Sequence, residues 1–428
     1  MSLAFLFEIQ PMGTPMPAPS SSPSRRVNVR TPEVMDRVQA QVEQHYRSSL
    51  VESFRRRGGI FTVGNTTIRL AKDFGFCYGV ERAIDLAYAA RKVFADRRVF
   101  LLGEIIHNPE VNRQLTDMGV ISIPVGRHEE EVSKLTPEDV VIVPAFGAET
   151  GLMELIASRG CLVVDTTCGD VMSVWKRVRG YAKQGFTSII HGKAAHEETR
   201  ATSSRALGDD NTGHYLVVLT LADVDYVCDY IRKGGDKDEF LRRFPAGSHS
   251  DGFDPNLHLK RVGVANQTTM LKSETEEIQR RVQKAIEDRD GGEKSNFQVF
   301  DTICGATQER QDALFEMLRS RMDVLLVVGG YNSSNTTHLV EIGEQQLPTF
   351  FIRDAGCLTS LEQIVHFDLH SKQETQSYSS KLSGSEPVVV GITAGASCPN
   401  NLIEDTILRV FKLRGIDEAA VMAAARGE

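Results

Sequence analysis

GFCYGVERAI (75–84), DTTCGDVMSVWKRV (165–178) and DTICGATQERQDAL (301–314) each set a cysteine at the opening of an amphipathic helix. After Cys77, the residues Val80, Ala83, Ile84, Ala87 and Tyr88 fall at i, i+3, i+4, i+7 and i+8. After Cys168, Val171, Val174, Trp175 and Val178 repeat that spacing, and after Cys304 one face collects Ala313, Leu314, Met317 and Leu318. The period is that of a helix with one buried stripe. A short β-like run precedes each cysteine: TTIRLA (66–71), CLVVD (161–165) and FQVFD (297–301). Behind each helix a second strand, RVFLLGE (98–104), FTSIIHG (186–192) or DVLLVVGG (323–330), runs into a polar loop. His107, His196 and Asn332 in those loops lie 30, 28 and 28 residues beyond their cysteines. One more apolar strand closes each third: VVIVPAFGAE (140–149), VGVANQTT (262–269) and VVVGITAGAS (388–397).

This degenerate repeat predicts an α/β fold of three units with mainly parallel sheets, arranged as a pseudo-threefold cloverleaf. The expected boundaries are an N-terminal extension over 1–65, units over 66–160, 161–296 and 297–414, and a tail over 415–428. Within the extension, residues 11–30 are rich in Pro, Ser and Arg and read as a disordered leader, whereas 32–57 reads as helical. The polar stretches 233–258 and 371–386 read as surface insertions.

Composition narrows the class. The 428 residues are 41% hydrophobic and 25% charged, enough for a substantial core. Lys and Arg number 49 against 57 Asp and Glu, a net charge of −8, which argues against a protein that coats a nucleic-acid backbone. Apolar runs are far shorter than the roughly 20 residues that span a bilayer. Seven cysteines are sparse and odd in number, and no secretory signal precedes them, so a reducing compartment is expected. The leader leaves a cytoplasmic protein or, were it a transit peptide, a plastid one. Cytoplasm is the favoured expectation.

Ligands of parallel sheets bind beyond the carboxyl ends of the strands, where all three cysteines and the polar loops fall. A thiol at a helix opening meets unpaired backbone N–H groups that favour its thiolate, the form that binds metal. Three such thiols suit a metal or cluster with one open position, and no C-x-x-C pair signals a zinc ribbon. Cys161, Cys228, Cys357 and Cys398 have no counterpart in the repeat and read as buried small residues. His107, His196, Thr268, Thr269, Asn332, Ser333, Ser334, Asn335 and Ser397 supply neutral donors at the same ends, a set suited to phosphate or diphosphate. Each taken singly also reads as a cap or turn residue. Glu198 in HEET is a candidate proton source, and Glu197 has an equal claim on spacing alone.

GFCYGVERAI, EIIHNP, DTTC, HGKAAHEET, ANQTTMLKSETEEI, DTICGATQERQDAL, VVGGYNSSNTTHL and GITAGASCPN together resemble the 4-hydroxy-3-methylbut-2-enyl diphosphate reductases of the non-mevalonate isoprenoid pathway. The resemblance spans roughly residues 25 to 414 in collinear order and leans to the plant and cyanobacterial branch. It implies a [4Fe–4S] cluster on Cys77, Cys168 and Cys304. It also implies a diphosphate held by His107, His196, Ser333, Ser334, Asn335 and Ser397, and proton delivery from Glu198 with Thr268 as relay. Two electrons and two protons remove the substrate hydroxyl as water, giving isopentenyl and dimethylallyl diphosphate, with a ferredoxin or flavodoxin-type donor. Neither nucleic acid nor membrane is an expected partner. Three positions depart from the family pattern: Phe146 where many bacterial members carry histidine, Gly169 where proline is usual, and Gly305 in place of a larger residue. Competing readings are a quinolinate synthase-like dehydratase, a non-catalytic iron–sulfur sensor, and a transferase using one cysteine as nucleophile. The sensor has no use for Glu198 or the diphosphate loops, and the transferase leaves the triple repeat unexplained.

Overall fold

The computed structural model describes residues 25–426 apart from 245, 301, 361, 380, 381 and 383–385. Of the leader read as disordered, residues 11–24 lie outside the described residues, whereas 25–30 are ordered: Arg25–Arg26 pairs with the edge of a sheet and Val29 is buried in a core. Among the described residues a separate antiparallel hairpin pairs Gln363–Asp368 with Gln373–Tyr378, and three large sheets each hold four parallel strands in one repeated order. In each, the strand ahead of a cysteine pairs with the closing strand, which pairs with the strand ahead of the polar loop, which pairs with an outer strand. The first sheet runs Leu162–Asp165, Val140–Val143, Val99–Leu102, Val120–Ile123. The second runs Phe297–Val299, Val262–Asn266, Thr187–His191, Tyr215–Val218. The third runs Thr66–Leu70, Val388–Ala394, Val324–Val328, Thr349–Ile352. Arg25–Arg26 adds to the edge of the first, and Ile60–Val63 lies antiparallel on the edge of the third.

Sheet membership divides the chain elsewhere than at the expected boundaries of 66, 161 and 297. Each strand ahead of a cysteine belongs to the sheet of the preceding unit, because the closing strand beside it has no other parallel neighbour on that flank. Thr66–Leu70, near the N-terminus, therefore completes the sheet built by the C-terminal third. Each cysteine hands the chain from one unit to the next, so the repeat is a closed ring of units.

The helical stripes pack as their spacing dictates. Val80, Ala83, Ile84, Ala87 and Tyr88 are buried under the first sheet, and Val171, Val174, Trp175 and Val178 are buried in the helix after Cys168. Ala313, Leu314 and Met317 are buried, with Leu318 half-buried beside them. The expected helix over 32–57 is two, Pro32–Tyr46 and Ser49–Arg56, broken where Ser48 caps the second by accepting from Val51 N–H. Two expectations change in character. The tail contains the helix Glu418–Arg426, with Val421 buried against the third core and Ala424 and Ala425 carbonyls accepting from Arg57 and Ser53. The stretch 233–258 buries Phe240, Phe244 and Phe253 in the second core, so apolar anchors hold an otherwise polar insertion.

One glycine governs how the closing strand of the first sheet turns toward the centre. Gly147 has φ +82°, and a Cβ there would overlap the Trp175 ring. Gly126 has a similar φ of +90° with no atom within 4 Å of such a Cβ. Gly147→Ala is expected to cost about 3 kcal/mol of unfolding free energy, strain plus overpacking, and Gly126→Ala about 1 kcal/mol, strain alone. Urea denaturation of the two variants measures the difference; equal losses would mean that Trp175 moves aside freely.

Candidate active site

The carboxyl ends of the three sheets meet at a cleft of about 720 Å³. Cys77, Cys168 and Cys304 all line it, each half-buried and each the N-cap of the helix that follows: Tyr78–Val93, Gly169–Lys183 and Gly305–Leu318. One bond recurs three times. The cysteine N–H donates to a carbonyl two residues past the end of the neighbouring closing strand: Cys77 to Ala396 at 3.2 Å, Cys168 to Ala145 at 2.8 Å, Cys304 to Thr268 at 3.4 Å. The thiols of Cys168 and Cys304 face first-turn amides, those of Asp170 and Val171 for one and Thr307 for the other. Burial nevertheless raises the pKa of Cys168 and pushes Cys304 up to about 12, the Asp170 carboxylate 3.0 Å from its Sγ adding to the effect. As protonated thiols these groups are inert, and a metal cation reverses that balance by replacing the proton.

Two glycines flagged as departures, Gly169 and Gly305, have open space where a Cβ would stand, so neither alters the packing around its cysteine. Gly79 matters more. A Cβ there would lie 2.6 Å from Cys168 Sγ and 3.9 Å from Cys77 Sγ, so its bare backbone leaves the room in which thiols from two units converge. Cys161, Cys228, Cys357 and Cys398 are buried in the apolar cores, as their isolation in the repeat suggests.

On one wall His107 and His196 face each other, Nε2 to Nε2, at 3.2 Å. His196 caps helix Glu197–Ala206, its Nδ1 accepting from the Glu198 N–H. Burial, then His107 and Lys193, push His196 down to about 3, so its ring is neutral at physiological pH. His107 Nδ1 lies 3.0 Å from Glu104, which also accepts from Asn332 Nδ2 at 2.8 Å. Burial raises the Glu104 pKa, but those bonds outweigh it and hold the carboxyl below its ordinary value. Phe146 stacks on His107 at 4.8 Å between centroids, 13° from parallel, and so supplies an apolar back wall where a histidine would supply a donor.

Beside His107 stands the N-terminus of helix Ser334–Glu344. Ser333 caps it, and Ser397 Oγ donates to the His107 carbonyl and lies 3.4 Å from Ser333 Oγ. Asn335 Oδ1 accepts from Ala396 N–H, whereas its Nδ2 is buried and has no partner among the described residues. Ser334 Oγ and Thr269 Oγ1 both accept from Gln267 Nε2. Among the described residues no lysine or arginine lines the cleft, so the donors an anion would find there are neutral side chains and helix N-termini.

Glu197 and Glu198, equivalent on spacing, part company here. Glu197 is partly exposed, 3.9 Å from His107. Glu198 is buried within the cleft, its two oxygens accepting from Thr268 N–H at 2.6 Å and Thr268 Oγ1 at 3.0 Å. Burial outweighs these bonds and pushes Glu198 up to about 7. Every candidate residue but Asn332 lines the cleft; Asn332 stands behind His107, joined to it through Glu104. Glu104, Gln267, Asp170 and Gly79 were not singled out from sequence. The first two were visible as neighbours of chosen motifs, three residues before His107 and one before Thr268.

The chain is similar to proteins of known family and fold. The pattern that defines the family described as LytB protein matches residues 68–411. A protein of Thermosynechococcus vestitus named 4-hydroxy-3-methylbut-2-enyl diphosphate reductase is 46% identical, over 89% of this chain and 93% of its own length. One of that name from Gloeobacter violaceus is 45% identical, over 90% of this chain and 92% of its own. The solved structure of E-1-hydroxy-2-methyl-but-2-enyl-4-diphosphate reductase from Plasmodium falciparum has the same fold, with a TM-score of 0.57 at 22% identity, covering 81% of this chain and 87% of that one.

The Glu198 carboxyl makes stability depend on pH. Its folded pKa is raised from 4.5 to about 7, so its favourable contribution is complete below the unfolded value and lost as pH rises through the folded one. Relative to Glu198→Gln, the wild type is therefore expected to lose on the order of 3 kcal/mol between about pH 4.5 and pH 7. Paired denaturation curves at several pH values test this, and a constant difference would place the carboxylate in a wetter site.

Proposed function

The chain belongs to the LytB protein family, and we propose that its central cleft reduces (E)-4-hydroxy-3-methylbut-2-enyl diphosphate to isopentenyl and dimethylallyl diphosphate, the last step of the non-mevalonate isoprenoid pathway. The observation that carries the reading is the convergence of three capping cysteines, a buried glutamic acid and an orphaned amide donor on one cleft.

The thiols of Cys77, Cys168 and Cys304 fit a [4Fe–4S] cluster: one per unit, each at a helix N-cap, with helix amides facing those of Cys168 and Cys304 and Gly79 leaving room between two of them. When bound, such a cluster supplies electrons one at a time and, at the iron without a protein thiolate, a Lewis acid for the substrate hydroxyl. The chain does the rest. Asn335 Nδ2, with Ser333, Ser334, Ser397, Thr269 and the two histidines, forms the cradle for the diphosphate, and Asn332 braces it through Glu104. Glu198 is half protonated near neutral pH, the condition a general acid needs. In that state its Oε2 proton passes to Thr268 Oγ1, and the threonine gives up its own toward the leaving hydroxyl. Phe146 behind His107 helps to exclude water from this path. Among the described residues no helix is long and apolar enough to cross a membrane. The resemblance supports a ferredoxin or flavodoxin-type electron donor.

Anaerobic purification with iron and sulfide counts, followed by turnover of the allylic diphosphate under dithionite, tests the reading. About four irons per chain and five-carbon diphosphate products are expected. Glu198→Gln should keep the cluster and lose turnover by about a hundredfold or more. Wild-type turnover in that variant would remove Glu198 from the mechanism. A protein that takes up no cluster after reconstitution would overturn the cysteine assignment.

A further inference from the structure

The hydrogen-bond partners of the two histidines fix their protons. Glu104 is ionised, so the His107 nitrogen 3.0 Å away, Nδ1, carries a hydrogen and donates it. Asn332 Nδ2, at 3.2 Å from the same nitrogen, is a second donor to that carboxylate rather than a donor to the ring. His196 Nδ1 is an acceptor, committed to the Glu198 N–H, so in its neutral ring the hydrogen sits on Nε2. One hydrogen therefore lies between the two facing Nε2 atoms: His196 donates and His107 accepts. The other groups around the pair are Phe146, stacked flat on His107, Glu197, 3.9 Å from its Nε2, and Glu198, which interacts electrostatically with His107, with Lys193 acting on His196 through space.

That arrangement cannot hold an anion with both rings. A diphosphate brings only acceptors, and a bare His107 Nε2 lone pair would repel its oxygens. We propose, resting on the diphosphate reading above, that ligand binding draws one proton from solvent onto the His107–His196 pair, and that Glu104 is the positioning residue that holds it. In the bound state the His107 ring donates from both nitrogens, Nδ1 to Glu104 and Nε2 to the diphosphate. His196 Nε2–H turns from His107 to the same group. The imidazolium then lies between two anions, the carboxylate behind and the diphosphate in front, which is the arrangement that stabilises it. The proton balance is one transfer: the buffer acid gives up one proton, which becomes the His107 Nε2–H, and no bond between heavy atoms forms or breaks.

The test is calorimetry on the oxidised holoenzyme without reductant, titrated with (E)-4-hydroxy-3-methylbut-2-enyl diphosphate in buffers of different ionisation enthalpy. Near pH 8, where imidazole and free diphosphate are both largely deprotonated, the slope of binding heat against buffer enthalpy is expected to report about one proton taken up. Glu104→Gln, checked for an unchanged cluster spectrum, should cut that uptake to well under half and weaken binding by about tenfold. In steady state, 1/KM of the wild type should fall by about tenfold per pH unit on the alkaline side, and a merely structural Glu104 would leave that slope in the variant. Binding with zero slope in the wild type overturns the proposal while leaving the diphosphate reading intact. No binding heat in any buffer overturns the diphosphate reading and this proposal with it.

Discussion

Everything in the cleft depends on one backbone hydrogen bond made three times, from a cysteine N–H to a carbonyl just past the neighbouring strand. It joins the end of one strand to the start of the helix that leaves the next. Parallel strands end at the same level, so tying each cysteine to its neighbour sets the three thiols at one height on three sheets. The residue after each accepting carbonyl, Phe146, Thr269 or Ser397, is thereby delivered to the cleft wall. A single such bond contributes only about 1 kcal/mol, so its importance is positional rather than energetic.

The same junction explains why the units are offset from their cores. A cysteine closing one sheet caps a helix that packs under another, so no unit owns its own ligand. The third sheet takes Thr66–Leu70 from the N-terminal side of the chain, and the ring closes only when both ends of the sequence are in place. The helices before residue 60 and after residue 417 pack against each other at that seam, with Arg57 and Ser53 bonded to carbonyls of the last helix. What the repeat presents as three consecutive blocks is mechanically one closed assembly.

Charge in the cleft is managed by burial and by neutral donors. Among the described residues no lysine or arginine lines it, His196 is kept neutral, and Glu198 is carried toward protonation by burial, with a smaller push from Asp170, against two bonds from Thr268. A site lined this way holds an anion through helix amides, hydroxyls and amide side chains, and leaves proton inventory to two or three residues whose states are set by their surroundings. Glu104, whose carboxyl its bonds hold below the ordinary value, stands behind the histidine rather than in the cleft.

Much of this was legible in the order of residues. Helical and strand periods are local, set by which side chains alternate or recur. They fixed the helices after Cys77, Cys168 and Cys304, the parallel sheets, and the gathering of cysteines and polar loops at one end. The motifs carried the family, and with it the candidate ligands and donors. Sheet membership was not legible, because strand pairing is a contact between distant segments: nothing in TTIRLA says that it completes a sheet begun at residue 324. Spacing alone did not choose between Glu197 and Glu198, one residue apart and distinguished by which way a helix turn points them; the resemblance pointed to Glu198 and burial separates the two. Glu104 and Gly79 belong to the same class, since a carboxylate behind a ring and an absent Cβ between two thiols have meaning only in three dimensions. The sequence alone determined which chemistry the chain carries, because residue types are covalent facts. The tertiary structure decided which atoms meet and which protons they hold, because distance and burial arise only on folding.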